Sequence, residues 1–451
     1  MNTTVMTFRS LVLVVLLGAC SGAASIGEMF SEPPAWESYA NSLEEVGLAE
    51  SALGREWIAA GQRALSQAPA VETPYREVGY LAPEEPGSVG YLLYLRRGHR
   101  LVVDVEMRSA EPGRLFLDLF RMPPESDSLS APERVAASAA ESTRLAVEIR
   151  EDSDYILRMQ PELLRGGRYE ITLRTKPTLA FPVEGAENRD IGSGWGDVRD
   201  AGSRSHEGVD IFAPRGTPVL AVEDGRVRRV GRNRLGGNTV WVTGRDGRSF
   251  YYAHLDRQSA RSGDQVMTGD TLGWVGNTGN AAPTPPHLHF GLRLRGGPGW
   301  VDPYPYIART DAEPASLAIE TSRLGERIRT RGEVNLRSGP GVGTNARRTL
   351  PRHTVVRAVA GTADWYRVEL PDRSTGFVWS PLIDGLEPAV SRFRAPETRL
   401  VRDAPAILGA PLDSIAPDAD VPVLGRFGDW TLVRAGEHEG WVFEGEAVAG
   451  R

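Results

Sequence analysis

Apolar residues set two different rhythms along this chain. Between residues 32 and 74, Trp36, Leu43, Val46, Leu53, Trp57, Ala60 and Ala64 recur at threes and fours with acids and arginines between them. That spacing predicts a helical segment with one buried stripe. Gly47, Gly54 and Gly61 recur every seven residues, which would bring three glycines to a close helix contact unless the spacing is chance. From about residue 78 to 177 the period drops to two. Val103, Val105 and Met107 alternate with Asp104 and Glu106, and Tyr169, Ile171 and Leu173 alternate with Glu170, Thr172 and Arg174. Leu115, Leu117 and Leu119, then Leu145, Val147 and Ile149, repeat the pattern. Several such strands separated by turns predict a β-sandwich.

Residues 181–308 are Gly-rich and strand-like, and a polar stretch from Thr310 to Thr330 leads to an internal repeat. Asp364-Trp365-x-x-Val368 returns as Asp429-Trp430-x-x-Val433, an offset of 65, and Gly376-Phe377-Val378-Trp379 returns as Gly440-Trp441-Val442-Phe443, an offset of 64. The two copies, 329–386 and 393–449, resemble bacterial SH3-like domains, the second degenerate where the first reads N-L-R-S-G-P at 335–340. That resemblance implies wall binding, although Trp365 and Trp430 could equally fill the core of each small barrel. The expectation is a mainly β, multidomain chain: a helical segment, a sandwich, an antiparallel-β domain and two SH3-like barrels.

Bulk composition narrows the partners. A chain of 451 residues is too long for one core. Its net charge of −7 argues against nucleic acid, which needs a basic excess. Lys176 is the only lysine, a bias that base composition of the genome explains without chemistry. At the start, Arg9 precedes the apolar run Leu11–Leu17, which is too short to span a bilayer but matches a secretory signal over residues 1–19. Leu17-Gly18-Ala19-Cys20 resembles a bacterial lipobox, which implies lipidation of Cys20 and a membrane anchor. Cys20 is the single cysteine, so no intramolecular disulfide can form. Ser21 next to it, as in diderm lipoproteins, permits an outer-membrane location facing the periplasm.

The candidate chemistry lies in 181–308. In P-P-H-L-H-F-G (285–291), His287 and His289 would point about 200° apart on a helix but to the same side on a strand. By itself that pair reads as the polar face of an ordinary strand. S-H-E-G-V-D-I-F (205–212) adds His206 and Asp210, and its Gly, Val and Ile favour an extended chain. On a strand 206, 208 and 210 share a face, and the residue between two converging ligands must be small; Gly208 is there. With His289 as a third ligand, the set is His, Asp, His with one open position, the arrangement of a catalytic zinc that lowers the pKa of its water to about 7. His287 on the same strand face and His254 in F-Y-Y-A-H-L (250–255) are then placed for proton transfer or oxyanion stabilisation.

H-x-G-x-D, Y-A-H-L and P-H-L-H-F in that order, with D-I-x-A-P-x-G-T-P-V at 210–219, resemble the lysostaphin-like M23 zinc metallopeptidases. The resemblance implies one zinc per chain on His206, Asp210 and His289, with His254 and His287 catalytic. It implies hydrolysis of an amide in the peptide part of peptidoglycan, by analogy the D-Ala–diaminopimelate cross-link. The competing reading is a non-catalytic activator of a separate wall amidase, as in relatives that have lost ligands; a weaker one is a protease of Gly-rich proteins. Two departures bear on substrate fit: Trp195-Gly196-Asp197-Val198-Arg199 replaces the usual F-G-x-R element, and Gly291 follows the H-L-H-F run where an acid is common. His99, His353 and His438 read as surface residues.

Overall fold

A computed structural model describes residues 33–124, 130–199, 202–296, 299–310 and 312–444. The signal segment and Cys20 lie outside the described residues. The chain is mainly β. Among the described residues no helix is long and apolar enough to cross a membrane.

The helical segment is two α-helices, Ala35–Glu45 and Ala52–Ser66, linked by a single 3-10 turn. A continuous helix fails at Gly47, whose φ of 74° is left-handed, and the break leaves Val46 and Leu53 exposed rather than on a buried stripe. The other two glycines do sit in close contacts, but with the 3-10 turn and a sandwich strand instead of a facing helix. A Cβ on Gly54 would lie 2.0 Å from Leu48 O, and one on Gly61 would lie 2.6 Å from Gln160 Oε1. Trp57, fully buried and stacked on Trp36 at 5.3 Å, donates from Nε1 to Pro161 O at 2.8 Å and so fastens the helices to the sandwich.

The sandwich has one sheet ordered Val89–Leu95, Ser153–Pro161, Leu115–Arg121, Glu133–Ala137. The facing sheet runs Tyr75–Leu81, Gly167–Pro177, His99–Arg108, Arg144–Glu148. Its core is the set of alternating positions expected from the period-two pattern, including Leu101, Val103, Leu117, Leu119, Ile171 and Leu173.

This second sheet does not end at Tyr75–Leu81. That strand also pairs antiparallel with Val355–Thr362 of the first C-terminal repeat, Val78 opposite Gly361 and Gly79 opposite Ala360, so sandwich and repeat form one eleven-stranded sheet. Under the junction Glu77 is wholly buried and accepts hydrogen bonds from the hydroxyls of Tyr75, Tyr91 and Tyr169 at 2.8, 2.6 and 2.8 Å. Buried Arg367 of the repeat supplies the balancing cation at 3.8 Å.

The two repeats share their strand order. Ala346–Leu350, Val334–Arg337, Thr375–Trp379, Trp365–Glu369, Val355–Thr362 in the first correspond to Pro411–Ile415, Arg399–Arg402, His438–Phe443, Trp430–Ala435, Val421–Phe427 in the second. Trp365 and Trp430 each open the corresponding strand, Trp365 buried and Trp430 half-buried. Trp441 is buried with Val355, Leu424 and Leu432 where the copies meet. Of the three histidines read as surface residues, His438 is exposed, whereas His99 and His353 are half-buried.

The region holding the candidate site is an eight-stranded antiparallel sheet. Its order is Gln265–Val266, Gly225–Asn233, Gly237–Gly244, Ser249–Leu255, His287–Arg293, Val209–Phe212, Ile191–Ser193, with Trp300–Val301 beside His287–Arg293. Fully buried Val209, Ile211, Phe250, Tyr252, Leu288, Phe290 and Leu292 form its core. The residues between them in sequence face the other way, into the cleft.

Candidate metal centre and active site

Three adjacent strands bring the candidate residues together. Asp210 lies opposite His289, which in turn lies opposite Ala253, the residue before His254. The donor atoms of His206 (Nε2), Asp210 (Oδ1) and His289 (Nδ1) form a nearly equilateral triangle: 3.0 Å, 2.9 Å and 2.9 Å. Two atoms held at about 2.1 Å by a tetrahedral zinc lie about 3.4 Å apart, so a small outward shift of each side chain seats the ion. These three make up the candidate metal-holding group among the described residues.

The expectation that His206 and Asp210 share one strand needs correction. The strand begins at Val209, and His206 belongs to the approach to it. Gly196 N donates to His206 O and His206 N donates to Asp197 O, both at 2.9 Å, so residue 206 is paired with the preceding segment instead of the sheet. The chain then turns in at Gly208. A Cβ there would lie 2.5 Å from Phe290 O and 2.7 Å from His289 Cε1, which is the physical reason for glycine between the two candidate ligands.

Surrounding groups fix which atoms face the site. His206 Nδ1 donates to Gly194 O at 2.6 Å, leaving Nε2 for a metal. Asp210 Oδ2 accepts from Arg199 Nη2 at 2.7 Å, leaving Oδ1 toward the histidines. Burial works against the charge on Asp210, but contacts from His206 and His289 outweigh it and hold the carboxyl well below the usual carboxylate range. Burial also lowers His289, against the pull of Asp210. A carboxylate and a neutral imidazole are the forms that bind metal. The donor set fits zinc.

His254 and His287 line the same cleft, their rings 5.0 Å apart. His287 Nδ1 donates to Pro285 O at 2.9 Å, and His287 Nε2 stands 4.0 Å from Asp210 Oδ1. His254 Nδ1 donates to Thr278 O at 2.9 Å. Each bond assigns the ring proton to Nδ1 and leaves Nε2 as the free acceptor. His254 has a φ of 63°, a left-handed conformation that costs energy for a β-carbon residue. Its own N–H, donating to Gly236 O at 2.7 Å, together with the Thr278 bond, holds it there. Burial, reinforced by His289 and His287, pushes the His254 pKa down to about 4.

Two features were not anticipated. The W-G-D-V-R element, read as a departure bearing on substrate, supplies Arg199 to Asp210; an arginine closing the segment before the first ligand was the available signal. Gly291 lies beneath an aromatic cluster: a Cβ there would lie 2.7 Å from the Trp300 ring, which contacts Trp241 at 5.6 Å and Tyr251 at 5.8 Å. Tyr251 reaches the His289 ring at 5.9 Å, so the glycine makes room for an aromatic wall beside a ligand.

A His-Asp-His triad open to a cleft with two further histidines, on an antiparallel sheet, is the site of a metallopeptidase-type domain. The chain carries a domain of Peptidase family M23, matched over residues 204–303, and a bacterial SH3 domain, matched over 332–384. It is 37% identical over 138 residues to the L-Ala--D-Glu endopeptidase of Bacillus subtilis, covering 28% of this chain and 42% of that one. It is 37% identical over 93 residues to the peptidoglycan DD-endopeptidase ShyC of Vibrio cholerae, covering 21% of each. The catalytic domain of lysostaphin from Staphylococcus simulans is similar in structure at 35% identity, with a TM-score of 0.24, over 26% of this chain and 89% of that domain. The chain spans less than half the length of these curated relatives.

Proposed function

We propose that this protein is a zinc-dependent endopeptidase that hydrolyses amide bonds in the cross-link peptides of peptidoglycan. The observation that carries the proposal is the triangle of His206, Asp210 and His289 donor atoms, facing a cleft where His254 and His287 each present a free Nε2. When bound there, zinc supplies Lewis acidity toward the amide carbonyl and a lowered pKa for an attacking water. His254, held neutral by burial, can take the proton that water loses and pass it to the leaving amine. His287, its free Nε2 turned into the same cleft, is the second proton carrier: once it has taken up a proton there it can donate to the carbonyl oxygen as negative charge develops on it. The relatives' names specify different bonds, so the D-Ala–diaminopimelate cross-link remains the proposed target by analogy alone. The L-G-A-C sequence supports lipidation at Cys20 and anchoring to the outer membrane, facing the periplasm. The repeats at 329–386 and 393–449 would add wall affinity. Digestion of purified cross-linked muropeptides by the full chain, with mass analysis, tests the activity. Cleavage abolished by a chelator and restored by zinc is expected; muropeptides left intact by the zinc-loaded protein contradict it.

A further inference from the structure

We infer that Arg232 and Arg234 form an anion subsite of the cleft that holds a carboxylate of the substrate peptide beside the scissile amide, an inference resting on the endopeptidase reading. Residues 226–234 read R-V-R-R-V-G-R-N-R, five arginines in nine positions with no acid among them, in a chain of net charge −7. Arg232 and Arg234 stand at the turn joining Gly225–Asn233 to Gly237–Gly244. With Asn277, Thr278 and Gly279 they line a cavity of about 730 Å³. Thr278 ties this cavity to the chemistry, because its carbonyl is the acceptor that orients His254.

The turn is rigidly seated. Gly236 N donates to Asn233 Oδ1 at 2.7 Å, Asn280 N to Leu235 O at 3.0 Å, and Asn238 N to Thr278 Oγ1 at 2.9 Å. Other arginines near the cleft are already engaged: Arg199 with Asp210, and Arg215 with Asp256 and Asn277. Arg232 and Arg234 are exposed and have neither an ion pair nor a side-chain hydrogen bond among the described residues. A guanidinium is a planar fork matched to a carboxylate. Wall peptides carry free carboxylates on their acidic residues, so such a fork, in a cavity that shares Thr278 with His254, would recognise the peptide by charge.

The test is equilibrium binding of two synthetic cross-link peptides to the zinc-loaded full chain, one with free carboxylates and one fully amidated. The unaltered protein should favour the free acid by about tenfold, the scale of one or two charge-assisted hydrogen bonds. The double variant Arg232→Gln/Arg234→Gln should erase that preference, while Arg229→Gln, equally cationic but outside the cavity lining, should keep it. Equal binding of the two peptides by the unaltered protein, or a preference that survives in the double variant, overturns the subsite. If the preference is present and neither peptide is cleaved, the endopeptidase reading fails and the arginine pair stands only as a carboxylate-binding site.

Discussion

Arg199 and Asp210 are joined by a single directed contact, Nη2 to Oδ2 at 2.7 Å, which commits one carboxylate oxygen and turns the other toward His206 and His289. Partners of this kind orient metal ligands, and losing one typically weakens metal binding ten- to a hundredfold. Arg199→Gln should therefore raise the zinc dissociation constant by roughly that range in a chelator competition. Unchanged affinity would assign the contact to local folding alone.

Gly208 makes a steric prediction. Because a Cβ at this position would press on the Phe290 carbonyl and the His289 ring at 2.5 and 2.7 Å, Gly208→Ala must push His289 out of the triangle or shift the strand. The expected result is a folded protein with little bound zinc, read by elemental analysis beside circular dichroism. A fully loaded Gly208→Ala protein would show that the site yields more easily than its geometry implies.

The pH dependence follows from His254. Its folded pKa of about 4 lies below the ordinary 6.5, so on acidification the unfolded chain takes up this proton first. Stability from this group is complete above pH 6.5 and falls between 6.5 and 4, by about 3 kcal/mol at 1.36 kcal/mol per unit. Urea unfolding of the metal-free protein should show this decline, and His254→Asn should flatten it. An unaltered slope in the variant would place the pH sensitivity elsewhere.

The shared sheet predicts that the first repeat cannot be removed cleanly. Arg367→Ala leaves Glu77 buried without its cation, a change that costs about 3–5 kcal/mol. Thermal unfolding should show the sandwich destabilised by Arg367→Ala and by deletion of residues 329–451. If neither moves the transition, the junction is a weak contact.

Much of the candidate site was legible because its residues are local in sequence: H-x-G-x-D carries two members of the His-Asp-His group and a steric requirement, and H-x-H on an alternating strand carries the third member and a neighbour on one face. The sandwich core was equally readable from its period of two. Pairing was not. Val78 and Gly361 are remote in sequence, and edge-to-edge joining through backbone hydrogen bonds leaves no side-chain pattern. His206 was placed on a strand because its residue types suit one, yet its backbone bonds to Gly196 and Asp197 override that preference. The break at Gly47 shows the same limit, since a periodic stripe says nothing of a left-handed residue within it.

The division of the five cleft residues into ligands and proton carriers is the central claim, and paired measurements on single variants test it. Zinc content by elemental analysis and cleavage of a cross-linked muropeptide should be measured for alanine at each position. His206→Ala, Asp210→Ala and His289→Ala should lose zinc and activity together. His254→Ala and His287→Ala should keep near-stoichiometric zinc while turnover falls by roughly 10²–10⁴-fold. An empty site in His287→Ala beside a loaded one in His289→Ala would reverse the roles of these neighbours, and undiminished cleavage in all five would contradict the account.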